Sequence, residues 1–118
     1  MIVADLTDVR RIALGLPRAY EAIVREHVKF RVGRLVFASV SPDETLLGFG
    51  YPREQREALV ASDPETFLLP VASDLRYQWA RLRLARIAVD ELDEFIVDAW
   101  RMCVPRKVAA EHLGPETG

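Results

Sequence analysis

The chain has 118 residues, 50% of them hydrophobic and 29% charged, with a formal net charge of −2. That length suits one domain with its own core, and the composition excludes disorder. The longest uncharged runs, such as 35–42 and 45–52, are too short to span a bilayer, so no membrane association is expected, and the near-neutral total excludes a uniformly basic nucleic-acid binder.

Residues 5–16 carry Leu6, Val9, Ile12, Ala13 and Leu16 at three- and four-residue spacing, which predicts an amphipathic helix. Asp5 or Thr7 can cap it, and Gly15 and Pro17 end it. Within 19–32 the period changes: Val28, Phe30 and Val32 alternate with Lys29 and Arg31, as in a half-buried strand. Gly33-Arg34 suits a tight II′ hairpin turn, with a positive φ expected at Gly33. Residues 35–40 return as a strand apolar on both faces, hence central in the sheet. Ser41-Pro42-Asp43-Glu44 is turn chemistry, and 45–49 reads as the next strand. Pro52 suits a helix start, and 53–61 reads as a short helix with Leu59 and Val60 inward and Arg53, Glu54, Arg56 and Glu57 facing water.

Ser62-Asp63-Pro64 stops that helix, and Pro70 makes 67–71 an irregular crossing or an edge strand. Residues 76–84 alternate as a strand. Residues 90–103 form the clearest helix, with a Leu92, Phe95, Ile96, Ala99 stripe, Asp90 as cap, and Pro105 closing it. Residues 107–113 suit a terminal turn or short helix, and 113–118 a flexible tail. The expected architecture is α+β: one domain over 1–118, an antiparallel sheet with helices packed on it.

The N-terminus lacks the basic and apolar regions of a signal peptide, and Cys103 is the only cysteine. Both features fit a reducing cytoplasm. Cys103 reads as a small buried hydrophobe on a helix.

Several segments in this order resemble the MmcQ/YjbR-like family. The helix ending in Leu16-Pro17 is one. The hairpin Lys29-Phe30-Arg31-Val32-Gly33-Arg34-Leu35-Val36-Phe37-Ala38 is similar to the family's "Phe-Arg-Val, Gly, Lys, Ile-Phe-Ala". Residues 54–59 resemble its middle helix, Asp63-Pro64-Glu65-Thr66-Phe67 its "Asp-Pro, x, x, Phe", Trp79-Ala80-Arg81-Leu82 its Trp-led strand, and 90–100 its last helix. The resemblance covers roughly residues 5–104 and rests on order and spacing together. It implies an α+β fold related to a double-wing DNA-binding module, with DNA as the partner by fold analogy. One departure stands out. The family carries a Lys in a Leu-Lys step before the second helix, where this chain reads Leu47-Gly48-Phe49-Gly50. Any phosphate contact made by that Lys is missing here.

Charge is unevenly distributed. Residues 1–40 carry net +3, 41–65 net −4, 66–89 net +3 and 90–118 net −4. The first hairpin and the Trp79 strand are therefore basic. Strand parity places Tyr77, Trp79, Arg81 and Arg83 on one face, opposite Ala80, Leu82 and Leu84. Lys29 and Arg31 likewise share a face, joined by Arg25 if the strand starts that early. Cations interleaved with aromatics are what phosphate pairing and base stacking require. The same arginines also serve as solubilising groups on any sheet, and Trp79 can equally pack under a helix.

No catalytic constellation is visible. His27 and His112 are the only histidines, and no zinc spacing exists. His27 has the parity of Lys29 and reads as an exposed strand residue. Gly48-Phe49-Gly50 lacks the rest of a phosphate-cradling loop, and the 90–94 carboxylates suit a helix start. No cofactor, metal or catalytic residue is expected. Two functions stay open: a nucleic-acid-binding domain using Arg25, Lys29, Arg31, Tyr77, Trp79, Arg81 and Arg83, and a protein-interaction or small-ligand module without nucleic acid. An enzyme ranks behind both.

Overall fold

A computed structural model describes residues 3–113 of the chain. The elements are α1 (Leu6–Leu14), β1 (Ala19–Val24), β2 (His27–Val32), β3 (Leu35–Val40), β4 (Leu46–Gly50), α2 (Arg56–Ser62), β5 (Phe67–Leu68), β6 (Trp79–Arg83), α3 (Val89–Arg101) and α4 (Arg106–Leu113). The six strands form one sheet in the order β1-β2-β3-β4-β6-β5. Every neighbouring pair is antiparallel. The α+β architecture expected from the sequence is the one observed. Of the expected tail, Leu113 is the last residue of α4, and 114–118 lie outside the described residues, as do Met1 and Ile2.

Helix α1 starts at a reciprocal cap. The Asp8 N–H donates to the Asp5 carboxylate at 3.1 Å and the Asp5 N–H to the Asp8 carboxylate at 3.0 Å. Helix α3 starts one residue before the expected cap. Its N-cap is Ala88, whose extended backbone bridges to Val3, so Asp90 falls in the first turn and serves the helix dipole instead. The α3 stripe is buried at Leu92, Ile96, Ala99 and Trp100, with Phe95 half-buried at its margin. The helix lies across β3 and β4, and α1 packs against α3 and β1. The Trp100 Nε1–H donates to the Pro17 carbonyl at 2.9 Å, tying α3 to the end of α1. Cys103 is half-buried, and burial pushes its thiol pKa up, so it carries little thiolate.

Two strands occupy the segment where the alternation suggested one. Residues 19–32 fold into β1 and β2 around Arg25-Glu26, both left-handed with φ of 51° and 70°. Two positive φ values in a two-residue loop are the I′ pattern, which matches the twist of the flanking strands. The second hairpin turns at Gly33, whose φ is 59°, as expected, while Arg34 keeps a negative φ. A Cβ at Gly33 meets nothing within 4 Å, so only the backbone demands glycine there. Gly33→Val should lower stability by about 1–2 kcal/mol in a urea melt, the cost of a left-handed L-residue, and Gly33→Asn by less. An unchanged Gly33→Val midpoint would rule out this turn geometry.

A register shift between Phe30 and Arg31 reshapes β3. Phe30 pairs with Ala38 and Arg31 with Val36, leaving Phe37 as the extra residue. Phe37 and Ala38 are consequently both buried in the core, and Val36 and Ser39 both reach the opposite face. The bulge is the physical source of the strand's apolar character on both sides.

Helix α2 departs furthest from expectation. It begins only at Arg56, after a turn closed by the Gln55 N–H on the Pro52 carbonyl at 3.0 Å. Arg56 does not face water: it is 7% exposed, and its guanidinium donates to backbone carbonyls of the segment leading into β6. Strand β6 is also shorter than 76–84, because the Tyr77 N–H turns back to the Asp74 carbonyl at 3.0 Å. Segment 67–71 yields the two-residue edge strand β5 before Pro70.

Candidate functional site

One face of the sheet holds the core, with Val40, Leu47, Phe49, Ala80 and Leu82 fully buried beneath the helices. The residues between them line a concave groove of about 840 Å³ on the other face. Strand pairing fixes its floor. A single transverse row runs Ala22, Lys29, Ser39, Gly48, Arg81, Leu68 across all six strands. Two cations thus flank two small residues. Strands lie ~4.8 Å apart, so the Cα atoms of Lys29 and Arg81 are roughly 14 Å apart across three strand steps.

Trp79 stands beside this floor. It pairs with Gly50, yet its ring reaches back over Gly48. A Cβ at Gly48 would lie 2.7 Å from the indole Nε1 and Cζ2 and 2.9 Å from Cε2. The edge of the indole therefore rests where any other side chain at position 48 would begin. A lysine at position 48 would therefore require the indole of Trp79 to move from this position.

The groove is basic. Arg25, Lys29, Arg34 and Arg81 line it with His27, and Asp74 is its single carboxylate. None of the four cations has a carboxylate partner among the described residues, whose ion pairs lie elsewhere, as in Arg10–Glu21 and Arg86–Glu65. Arg81 is oriented by its Nε–H, which donates to the Leu69 carbonyl at 2.9 Å. Beyond one end of the groove, Asp43 accepts from the Ser41 and Thr45 hydroxyls, and these bonds hold its carboxyl below the usual carboxylate range. The rim is apolar where Leu35, Val71 and Tyr77 stand exposed.

Of the residues singled out by parity, Arg25, Lys29, Tyr77, Trp79 and Arg81 come together in the groove. Arg25 enters from the first hairpin turn, and Tyr77 from the loop before β6 rather than from the strand. Arg31 and Arg83 do not line it. The bulge sets Arg31 opposite Val36, where its Nε is buried with no hydrogen-bond partner. Arg83 lies at the far end of β6, donates to the Glu65 carbonyl at 2.9 Å, and lines a separate small depression with Pro64, Glu65 and Arg86. His27 and Arg34 line the groove without having been singled out. Their signal was positional: His27 shares the parity of Lys29, and Arg34 follows the turn glycine. Among the described residues no cluster of three or more His, Cys, Asp or Glu side chains could hold a metal ion. No described helix is long and apolar enough to cross a membrane.

No curated protein matches the chain. Among solved structures, it is similar to the crystal structure of a DUF419-domain protein from Deinococcus radiodurans. The TM-score is 0.75 at 19% identity, with 97% of this chain and 91% of that one covered, a likeness of fold. The family model described as YjbR matches residues 14–102, from the last residue of α1 to the cap of α3, and the chain belongs to that YjbR family.

Proposed function

We propose that the protein is a nucleic-acid-binding domain whose contact surface is the open-face groove, with a binding rather than a catalytic role. The observation that carries this reading is the charge of the groove: four cations without ion-pair partners face one carboxylate, Asp74. Such a concave surface attracts a polyanion and gains from counterion release when phosphates are neutralised. Lys29 and Arg25 have no internal hydrogen-bond partner for their cationic groups among the described residues, so both are free for phosphate.

Fluorescence anisotropy with labelled mixed-sequence DNA tests the reading. Affinity should fall steeply with salt. An Arg25→Ala/Lys29→Ala double variant should bind more weakly, with its log–log salt slope shallower by about 0.7–0.9 per lost contact. The exposed rim residues Leu35, Val71 and Tyr77 favour a second reading, a protein- or small-ligand-binding module. Absence of salt-sensitive DNA binding at low salt would select that second reading.

A further inference from the structure

Resting on the nucleic-acid reading above, we infer that the groove takes single-stranded nucleic acid, with one base stacked against the flank of Trp79 and adjoining phosphates held by Lys29 and Arg81. The indole is the feature that a purely electrostatic surface does not explain. Trp79 is half-buried on the open face, away from the core that encloses Trp100. Its ring meets Gly48 with the Nε1–Cε2–Cζ2 edge, so it stands up from the sheet instead of lying on it. Its Nε1–H makes no hydrogen bond with any described residue. Beside it the floor is Ser39 and Gly48, two small residues between the cations Lys29 and Arg81.

A base offers its π-face only when it is out of a duplex. In paired DNA the faces are stacked on one another and only the edges show in the grooves. Single strands present free faces, and aromatic side chains in basic grooves are how proteins hold them without sequence preference. The groove, about 840 Å³, has room for a nucleotide or two.

The test compares a fluorescein-labelled mixed-sequence DNA strand, alone and annealed to its complement, on the full chain at low salt. The single strand should bind at least roughly tenfold tighter than the duplex. Trp79→Ala should weaken single-strand binding by about tenfold, as loss of one stacking platform does, and leave its salt slope unchanged. Trp79→Phe, which keeps a ring, should retain most of the affinity, and thermal melts of both variants report whether they remain folded. Duplex binding as tight as single-strand binding, or a folded Trp79→Ala that binds like wild type, overturns the single-strand inference while the nucleic-acid reading stands. No binding of either form at low salt overturns both.

Discussion

Phe95→Ala should lower stability by about 3 kcal/mol, near the lower end of the ~3–5 kcal/mol range for a phenylalanine truncated in a core. Phe95 sits on α3 one turn from Leu92 and Ala99 and is the hub of an aromatic cluster. Its ring centroid lies 5.4 Å from that of Phe49, 5.2 Å from Phe67 and 6.3 Å from Tyr51. These residues come from β4, β5 and the segment after β4, so one side chain joins α3 to two strands and the connection that follows one of them. Its half-exposure lets water fill part of the space left behind, which places the loss at the lower end. Phe95→Leu, which keeps most of the volume, should cost under ~1.5 kcal/mol. Both are read as midpoint shifts at constant m in a urea melt. A Phe95→Ala loss under about 1 kcal/mol, the scale of surface changes, would contradict this packing.

Local periodicity carried much of the fold. The α3 stripe is buried because three- and four-residue spacing admits one apolar face, and Lys29, Trp79 and Arg81 share the open face because strands alternate. Gly33 was readable because only a residue without Cβ takes its φ cheaply. The first hairpin was not readable for the complementary reason. Arg25 and Glu26 take left-handed conformations with no glycine or asparagine to signal them, imposed by the six-residue pairing of β1 with β2. Parity assigns a face but not a position along it. Arg31 keeps the face of Lys29, opposite Val36, yet it does not line the groove and its Nε is buried. Arg83 has the parity of Arg81 and lies beyond the groove, at the Glu65 carbonyl. Trp79 and Trp100 illustrate a further gap. Each is flanked by one alanine and one polar residue, Gln78 or Arg101; strand parity placed Trp79 on the open face, and only the tertiary arrangement shows that Trp100 lies in the core.

Replacing Arg56 by Met should cost about 3 kcal/mol and loosen the groove wall. Arg56 looks like a solvent-facing residue on a short polar helix, yet its guanidinium is enclosed. Its Nη1 donates to the carbonyls of Tyr77 at 2.8 Å and Trp79 at 3.3 Å, and its Nη2 to that of Leu75. Arg53 adds a bond from its Nη1 to the Arg76 carbonyl at 2.7 Å. Two arginines thus hold four carbonyls of a five-residue segment, 75–79, that has no strand partner until Trp79. Each bond to a charged donor is worth roughly 1.5–3 kcal/mol net, but carbonyls released toward the surface regain water, so the sum is well below three full bonds. Methionine keeps length and apolar packing without donors. Lysine keeps the charge but not the fork that reaches several carbonyls at once, so Arg56→Lys should recover only part of the loss. The local effect separates this role from simple packing. In a Trp100→Phe background, where Trp79 is the only tryptophan, iodide should quench Arg56→Met fluorescence more strongly than that of the parent below the melting transition, because the segment entering β6 is no longer held. Unchanged quenching with a stability loss under about 1 kcal/mol would show that the 75–79 segment is held by other contacts.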